Sequence, residues 1–279
     1  MSILFFRKKP EIVKPMSISN NDLLNLNDKT AIVTGGAVGI GLGITARLAE
    51  AGASVMIADL SEEDSNKTVS DLTSKGYKVK ACKTDVSSET DVKNLVEQTV
   101  KEFGSIDILV NNAGIYPNIL VSKMLFSDFD KILAVNLEGV FLTTKYCSEQ
   151  MIAQGKGGKI INITSIDAIH PSMMGLAAYD ASKHGLWGFT KNSAIELAQH
   201  QIWVNAIAPG GINTPGVAKA TAGAGKIDPK MMEAFMAKIP MHKMGDPDDI
   251  GKVALFLASD MSSYMTGSQV VVDGGALLS

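Results

Sequence analysis

From residue 29 onward the chain repeats one pattern, a short β-branched apolar run followed by a stretch of helical spacing. The runs are TAIVTGG, SVMIADL, KVKACKTDV, SIDILVNNAG, GKIINITS, QIWVNAIAPG and SQVVVDGG. Between them lie GLGITARLAEAG, SEEDSNKTVSDLTSKG with a Ser cap and a Gly stop, and ETDVKNLVEQTVKEFG. The long stretch KMLFSDFDKILAVNLEGVFLTTKYCSEQMIAQG, then LAAYDASKHGLWGFTKNSAIELAQH and DPDDIGKVALFLAS, complete the series. Caps and stops of this kind bound helices. Strands that are apolar throughout, alternating with helices, require an α/β fold: a parallel sheet covered by helices on both faces. In such sheets ligands bind beyond the carboxyl ends of the strands. The search for function therefore begins at the residues that end each strand.

The first strand ends in a glycine turn, Gly35-Gly36-Ala37-Val38-Gly39-Ile40-Gly41. Glycine permits a tight turn and close backbone approach, and the free N–H groups of the helix that follows suit a pyrophosphate. A glycine-rich turn is weak evidence alone. Between the first strand and first helix of a doubly wound pattern, it predicts dinucleotide binding. The second strand ends at Asp59, 18 residues after Gly41, with Leu60 next. Asp59 is either a solvated turn residue or an acceptor for an adenosine ribose. In the second case it disfavours a 2′-phosphate: two unit charges about 4 Å apart repel by roughly 4 kcal/mol at an effective dielectric near 20. No Lys or Arg stands at positions 36–40 or 60–61 to offset this, so NAD is expected over NADP. Asp85, with Val86, ends the third strand, and Asn112, Ala113 and Gly114 end the fourth, on the same predicted rim; each alone is also ordinary turn chemistry.

Tyr179 and Lys183 sit four positions apart in YDASK, on one face of a predicted helix. Both titrate near pH 10 in water. A cation beside a phenol favours the phenolate. The pair is thus either a surface accident or an acid/base device, with Tyr179 expected to fall from about 10 towards 7.

Together these pieces resemble the short-chain dehydrogenase/reductase family, from about Lys29 to Gly275. The resemblance rests on TGGAVGIG, NNAG, VNLEGVF, INITS, YDASK, NAIAPG followed by INT, and VVVDGG, all in order. It implies a single Rossmann-type domain with a doubly wound, seven-stranded parallel sheet, a nicotinamide cofactor, and assembly as a homotetramer or homodimer. It also implies a catalytic tetrad of Asn136, Ser165, Tyr179 and Lys183. By resemblance, Tyr179 is the acid/base, Lys183 also bonds the nicotinamide ribose, Ser165 holds the substrate oxygen, and Asn136 binds water linking Lys183 to solvent. Pro209, Gly210, Ile212 and Thr214 would pass the nicotinamide and the phosphates. One departure stands out: Ser165 and Tyr179 are one position further apart than is usual in the family, which puts an extra residue in the loop IDAIHPSMMG. Asp167 and His170 lie in that loop and are candidates for substrate contact. Thr164 is a second hydroxyl beside Ser165.

Composition narrows the partners. A net charge of −3 and a pI near 5.8 give no basic surplus for nucleic acid or an anionic membrane. No apolar run reaches the roughly 18 residues a membrane helix needs. Cys82 and Cys147 have no metal-ligand or redox spacing and are expected to be reduced, buried thiols, which suits a cytoplasmic protein. No metal-ligand spacing appears. Residues 1–25 are read as an extension outside the core, flexible or a peg into a partner subunit, and 26–279 as the dinucleotide-binding domain. Residues 214–245, rich in Met, are expected to form a substrate lid.

The reading that results is an NAD-dependent oxidoreductase interconverting a secondary alcohol (a sugar, polyol or small hydroxy compound) and its carbonyl. Two alternatives are a 3-oxoacyl-thioester reductase and a non-catalytic dinucleotide sensor. The first normally prefers NADPH, which Asp59 opposes. The second often lacks the tyrosine or the lysine.

Overall fold

The computed structural model describes residues 18–216 and 236–279. Seven strands form one sheet: β1 (Thr30–Thr34), β2 (Ser54–Asp59), β3 (Val79–Lys83), β4 (Ile108–Asn111), β5 (Gly158–Ile163), β6 (Ile202–Pro209) and β7 (Gln269–Val272). Their order is β3-β2-β1-β4-β5-β6-β7, and every neighbouring pair is parallel. The chain runs outward from β1 to β3, then returns to β4 on the other side of β1. That reversal opens a crevice beyond the carboxyl ends of β1 and β4.

The helices are α1 (Asn20–Leu23), α2 (Gly39–Glu50), α3 (Glu62–Thr73), α4 (Glu89–Phe103), α5 (Phe126–Leu133), α6 (Gly139–Gln154), α7 (Ala177–Leu197) and α8 (Pro247–Ala258). They cover both faces of the sheet. On one side α2 and α8 bury Ile44, Leu48, Ile250, Ala254 and Leu257 against Val33, Val55 and Ile57. On the other, Leu95, Cys147, Met151 and Ala194 pack on Ile32, Met56, Leu109, Ile160 and Val204. Alternate residues of the central strands thus feed opposite cores, which explains why those strands are almost wholly apolar, whereas the edge strand β3, VKACK, is mostly exposed. Ser61 caps α3 and Ser88 caps α4, each accepting the N–H three residues on.

Two expectations need correction and one is refined. The long helical stretch 123–155 is helical from Phe126 to Gln154, but a π-helical segment, Ala134–Glu138, lies between α5 and α6, closed by the Gly139 N–H on the Ala134 carbonyl. The third strand stops at Lys83, so Asp85 and Val86 lie beyond it. Cys147 is buried and its thiol is pushed up to about 12 by burial, but Cys82 is only half-buried because β3 is an edge strand. Among residues 1–25, only 18–25 are described; α1 is exposed, and the first fully packed side chain is Leu26. Residues 217–235 of the expected lid lie outside the described residues. No described helix is long and apolar enough to cross a membrane.

Candidate active site

The glycine turn is built by steric demand. Gly35 and Gly39 have φ of +59° and +55°, the left-handed region that favours glycine. A Cβ on Gly41 would lie 1.9 Å from the Gly35 carbonyl oxygen, so the turn folds onto the start of α2 with nothing to spare. Val38 is the N-cap residue of α2 and gives no side-chain cap. The first-turn N–H groups therefore face the crevice unserved by a cap, which suits an anion. Ile40 packs on the core, while Val38 is exposed. Thr214 approaches the same turn: its Cβ is 3.3 Å from where a Gly39 Cβ would stand.

Asp59 ends β2 beside this turn. Its Oδ2 accepts the Ala37 N–H at 3.2 Å and its Oδ1 accepts the Ser61 N–H at 3.1 Å. Each oxygen retains lone-pair capacity for a ligand hydroxyl. Leu60 is exposed. The glycine turn and the end of β4 are latched together. Thr34 Oγ1 accepts from the Asn112 and Ala113 N–H groups, and Asn112 Nδ2 donates to the Thr34 and Gly35 carbonyls. Val86 is buried against Gly139, and Asp85 accepts from the Ser87 N–H and hydroxyl. On the far side, the Gly210 N–H after Pro209 donates to Val272 O, and Ile212 bridges to Gly245.

The residues of YDASK open α7. Tyr179 is half-buried and Lys183 is 4 % exposed. The Lys183 Nζ lies 5.7 Å from the Tyr179 ring centre and donates to the Ile163 carbonyl at the end of β5. Burial pushes this ammonium down to about 8. The expected depression of Tyr179 is not found. Burial pushes the phenol well above its ordinary value near 10; a hydrogen bond with Ser165 opposes this, and Asp167, Tyr116 and Asp180 reinforce it. Lys183, whose Nζ donates to Ile163 O, does not reverse the sign.

Ser165 is 6 % exposed and donates to Asp167 Oδ2 at 2.8 Å. Asp167 is equally buried; its own N–H donates to Ser165 Oγ, and its Oδ1 accepts the Ser172 N–H at 2.8 Å. Thr164 points elsewhere and donates to Ile207 O and Gln269 Oε1. His170 is exposed. Asn136, fully buried in the π segment, donates to the Ile115 carbonyl and Ser182 Oγ and accepts the Ile115 N–H. Both its amide hydrogens are thus committed to protein. Gly114 lies between the two: a Cβ there would be 3.3 Å from Asn136 Oδ1 and 3.7 Å from Lys183 Nζ.

Sequence reading passed over Tyr116 and Asn118. The Tyr116 ring meets the Tyr179 ring edge-on at 6.1 Å. Asn118 Nδ2 donates to Met174 O, and the Ile119 N–H to Gly175 O, tying the segment after β4 to the loop that carries the extra residue. Their position just after NNAG was the available signal. No three described His, Cys, Asp or Glu side chains converge as metal ligands.

The comparisons with known proteins agree with this architecture. A family model described as enoyl-(acyl carrier protein) reductase matches residues 35–276. A 3-oxoacyl-(acyl-carrier-protein) reductase, FabG of Thermotoga maritima, is 38 % identical over 255 residues, covering 91 % of this chain and 100 % of that protein. Oxidoreductase UcpA of Salmonella typhimurium is 39 % identical, covering 91 % of this chain and 96 % of its own. The crystal structure of a short-chain type dehydrogenase/reductase from Mycobacterium marinum superimposes with a TM-score of 0.85 at 35 % identity, covering 91 % of this chain and 98 % of that one. With a seven-stranded parallel sheet, a glycine turn at its switch point and full-length relatives of this kind, the chain belongs to the short-chain dehydrogenase/reductase family of oxidoreductases.

Proposed function

We propose that the chain interconverts a secondary alcohol and its carbonyl with a nicotinamide dinucleotide, NAD in preference to NADP, and that Tyr179 is the acid/base. The observation that carries the reading is Lys183 Nζ 5.7 Å from the Tyr179 ring centre on one face of α7, with Ser165 two residues beyond the carboxyl end of β5. When bound, the nicotinamide supplies the acceptor or donor of the hydride. In the oxidising direction the substrate C–H leaves as hydride with its electron pair, and the hydroxyl proton passes to the Tyr179 oxygen. In reduction Tyr179 returns that proton. Ser165 holds the substrate oxygen. Lys183 supplies positive charge near the phenol at pH values below its depressed titration near 8. Asn136 holds the Ile115 backbone and thereby the floor of the site.

The pyrophosphate is assigned to the turn Gly35, Val38, Gly39, Ile40 and Gly41, with Thr214 beside it. Asp59 accepts the adenosine ribose hydroxyls next to Leu60. Asp85 and Val86 flank the adenine. Asn112, Ala113 and Gly114 line the crevice floor, and Pro209, Gly210 and Ile212 border the carboxamide. The expected assembly is a homotetramer or homodimer.

Replacing Tyr179 with Phe tests the reading. Turnover is expected to fall by about two to four orders of magnitude, the usual worth of a positioned acid/base, with NAD binding retained. Unchanged turnover would end the proposed role; a parent chain that binds NAD and turns over no alcohol or carbonyl would favour a dinucleotide sensor.

A second substrate reading has its own support. Leu120, Val121 and Phe126 are exposed, as are Met173 and Met174, and the Asn118 contacts draw these two segments together. An apolar border suits an acyl chain better than a polyol, and one relative is named a 3-oxoacyl reductase. Turnover of a 3-oxoacyl thioester set against that of short polyols, each with NADH or NAD, separates the two.

A further inference from the structure

Tyr116 stands between the two chain segments that the proposed reaction brings together. On the α7 side its ring meets the Tyr179 ring edge-on, with centres 6.1 Å apart. At that separation the rings are in contact, and no carbon chain passes between them. On the other side its hydroxyl abuts the chain that leaves β6. A Cβ on Gly216 would stand 2.5 Å from that oxygen and 3.6 Å from Cζ. Only a residue without a Cβ leaves room for the phenol there. The same departing segment passes the glycine turn, where Thr214 Cβ is 3.3 Å from the place of a Gly39 Cβ. One ring therefore spans from the proposed acid/base to the segment assigned to the cofactor.

The ring is held in place through its backbone. Ile115, before it, is clamped at both its N–H and its carbonyl by the Asn136 amide, at 2.8 and 2.9 Å. Pro117, after it, confines Tyr116 to an extended backbone. Beyond that, Asn118 Nδ2 donates to Met174 O at 2.8 Å and the Ile119 N–H to Gly175 O at 2.9 Å. Gly175 permits this approach, since a Cβ on it would lie 2.4 Å from Asn118 Oδ1. A side chain on a segment tied at both ends is a fixed wall. Tyr116 is still 41 % exposed, so part of the ring is free to meet a ligand.

Hydride transfer fixes the reacting carbon between the Tyr179 hydroxyl and the nicotinamide. The carbon's oxygen goes to Tyr179 and its hydrogen to the cofactor, so its two remaining substituents leave in different directions. A wall that joins Tyr179 to the segment after β6 closes one of these directions. We propose that Tyr116 is a specificity-determining residue whose ring limits the smaller substituent of the substrate carbon to a methyl group. The substrate class is then methyl carbinols and methyl ketones. This rests on Tyr179 being the acid/base.

The test is a ratio taken within each enzyme. 2-Octanol and 4-octanol hold the same atoms, with the smaller substituent grown from methyl to propyl. Acetoacetyl and 3-oxohexanoyl thioesters make the same change in the reducing direction. With NAD or NADH the parent is expected to favour the methyl member. Tyr116→Ala is expected to raise kcat/KM for the propyl member relative to the methyl one by about tenfold or more, since even one methylene in a fitted pocket is worth about tenfold. Tyr116→Phe keeps the ring and is expected to keep the parent's ratio. Tyr116→Leu serves if the alanine variant folds poorly, and should shift the ratio the same way. A double-mutant cycle tests the contact at Gly216. Gly216→Ala should lower kcat/KM for the methyl member by about threefold or more in the parent. Beside Tyr116→Phe, where the nearest atom is Cζ at an ordinary 3.6 Å, the loss should be less than about twofold. A ratio unmoved in both Tyr116→Ala and Tyr116→Leu overturns the proposal, as does an equal loss from Gly216→Ala in both backgrounds. A parent that favours the propyl members, or turns over neither pair, overturns it too, because the methyl member is what the wall admits. If Tyr179→Phe retained turnover, the functional reading would fail, while the ratios would still decide whether Tyr116 sets the size of the substituent.

Discussion

Lys183 is the residue at which activity and stability conflict most plainly. Its ammonium is buried and pushed down to about 8, against 10.5 for a free lysine. A shift of that size corresponds to about 3 kcal/mol of unfavourable free energy in the folded, charged state. The sign is fixed by linkage. The unfolded chain binds the proton more tightly, so stability increases as pH rises from about 8 to 10.5 and the buried group sheds its charge. Lys183→Met removes the charge and loses the bond to the Ile163 carbonyl. At pH 7 the variant is expected to be more stable than the parent by about 1–3 kcal/mol, with turnover abolished. Urea unfolding at several pH values checks this, and the gain should shrink through that window. A variant less stable at pH 7 contradicts the account. Asn136 gives the opposite case. Asn136→Ala leaves the Ile115 N–H and carbonyl, which are half-buried, without their partner and should cost about 1–3 kcal/mol, read in the same unfolding experiment. The spacing of Tyr179 and Lys183 was legible in the sequence because helical geometry alone pairs them. The direction of the Tyr179 shift was not, since it depends on burial and on Asp167, and a loop residue two positions from a serine carries no sign of where its carboxylate points.

At the level of elements, the glycine turn depends on a helix far along the chain. α2 and α8 cross so closely that a Cβ on Gly251 would lie 2.5 Å from the Gly43 carbonyl oxygen, and one on Gly43 would lie 2.4 Å from that of Pro247. Arg47 on α2 spans the crossing with a two-pronged contact to Asp248, Nε to Oδ1 at 2.5 Å and Nη2 to Oδ2 at 2.8 Å. That pair is a third or more exposed at both ends, so most of its worth is geometric. Gly251→Ala is expected to push the helices apart at a cost of about 1–3 kcal/mol. Because the N-terminus of α2 moves with it, NAD affinity should weaken as well. Calorimetric titration beside thermal unfolding would show both changes, and a destabilised variant with unaltered NAD affinity would break the link. Sequence showed the helices that alternate with the strands and the Ser cap of α3, because periodicity and capping are local. It did not show the crossing, which joins residues 200 positions apart. It also missed the π segment at Ala134–Glu138, because one inserted residue leaves the apolar pattern on either side nearly unchanged while turning Asn136 inward.

For the whole molecule, the sheet order matters more than any one strand. The alternating apolar runs predicted a parallel α/β fold, and the β3-β2-β1-β4-β5-β6-β7 order places the ends of five strands, β2 to β6 across the switch point, along one rim. What periodicity could not supply was which strand lies at an edge, and hence the half-exposure of Cys82. A dinucleotide bound as proposed would touch segments that follow β1, β2, β4, β5 and β6, so its binding free energy would act on the cooperative unit as a whole. At a free concentration of about 100 times Kd, a ligand bound only by the folded state adds about 2.7 kcal/mol. For a domain of this size that corresponds to a rise in Tm of roughly 5–10 °C, at about 2–4 °C per kcal/mol. NAD should produce such a shift, and NADP at the same concentration a smaller one, because the Asp59 carboxylate opposes a 2′-phosphate. Asp59→Ser removes the charge but also the bond to the Ala37 N–H that steadies the glycine turn. Each protein must therefore be compared with its own ligand-free Tm. On that basis the variant should lose part of the NAD shift and gain part of the NADP shift. If the parent responded to NADP more strongly than to NAD, Asp59 would serve the turn alone, and the cofactor preference would have to come from elsewhere along the rim.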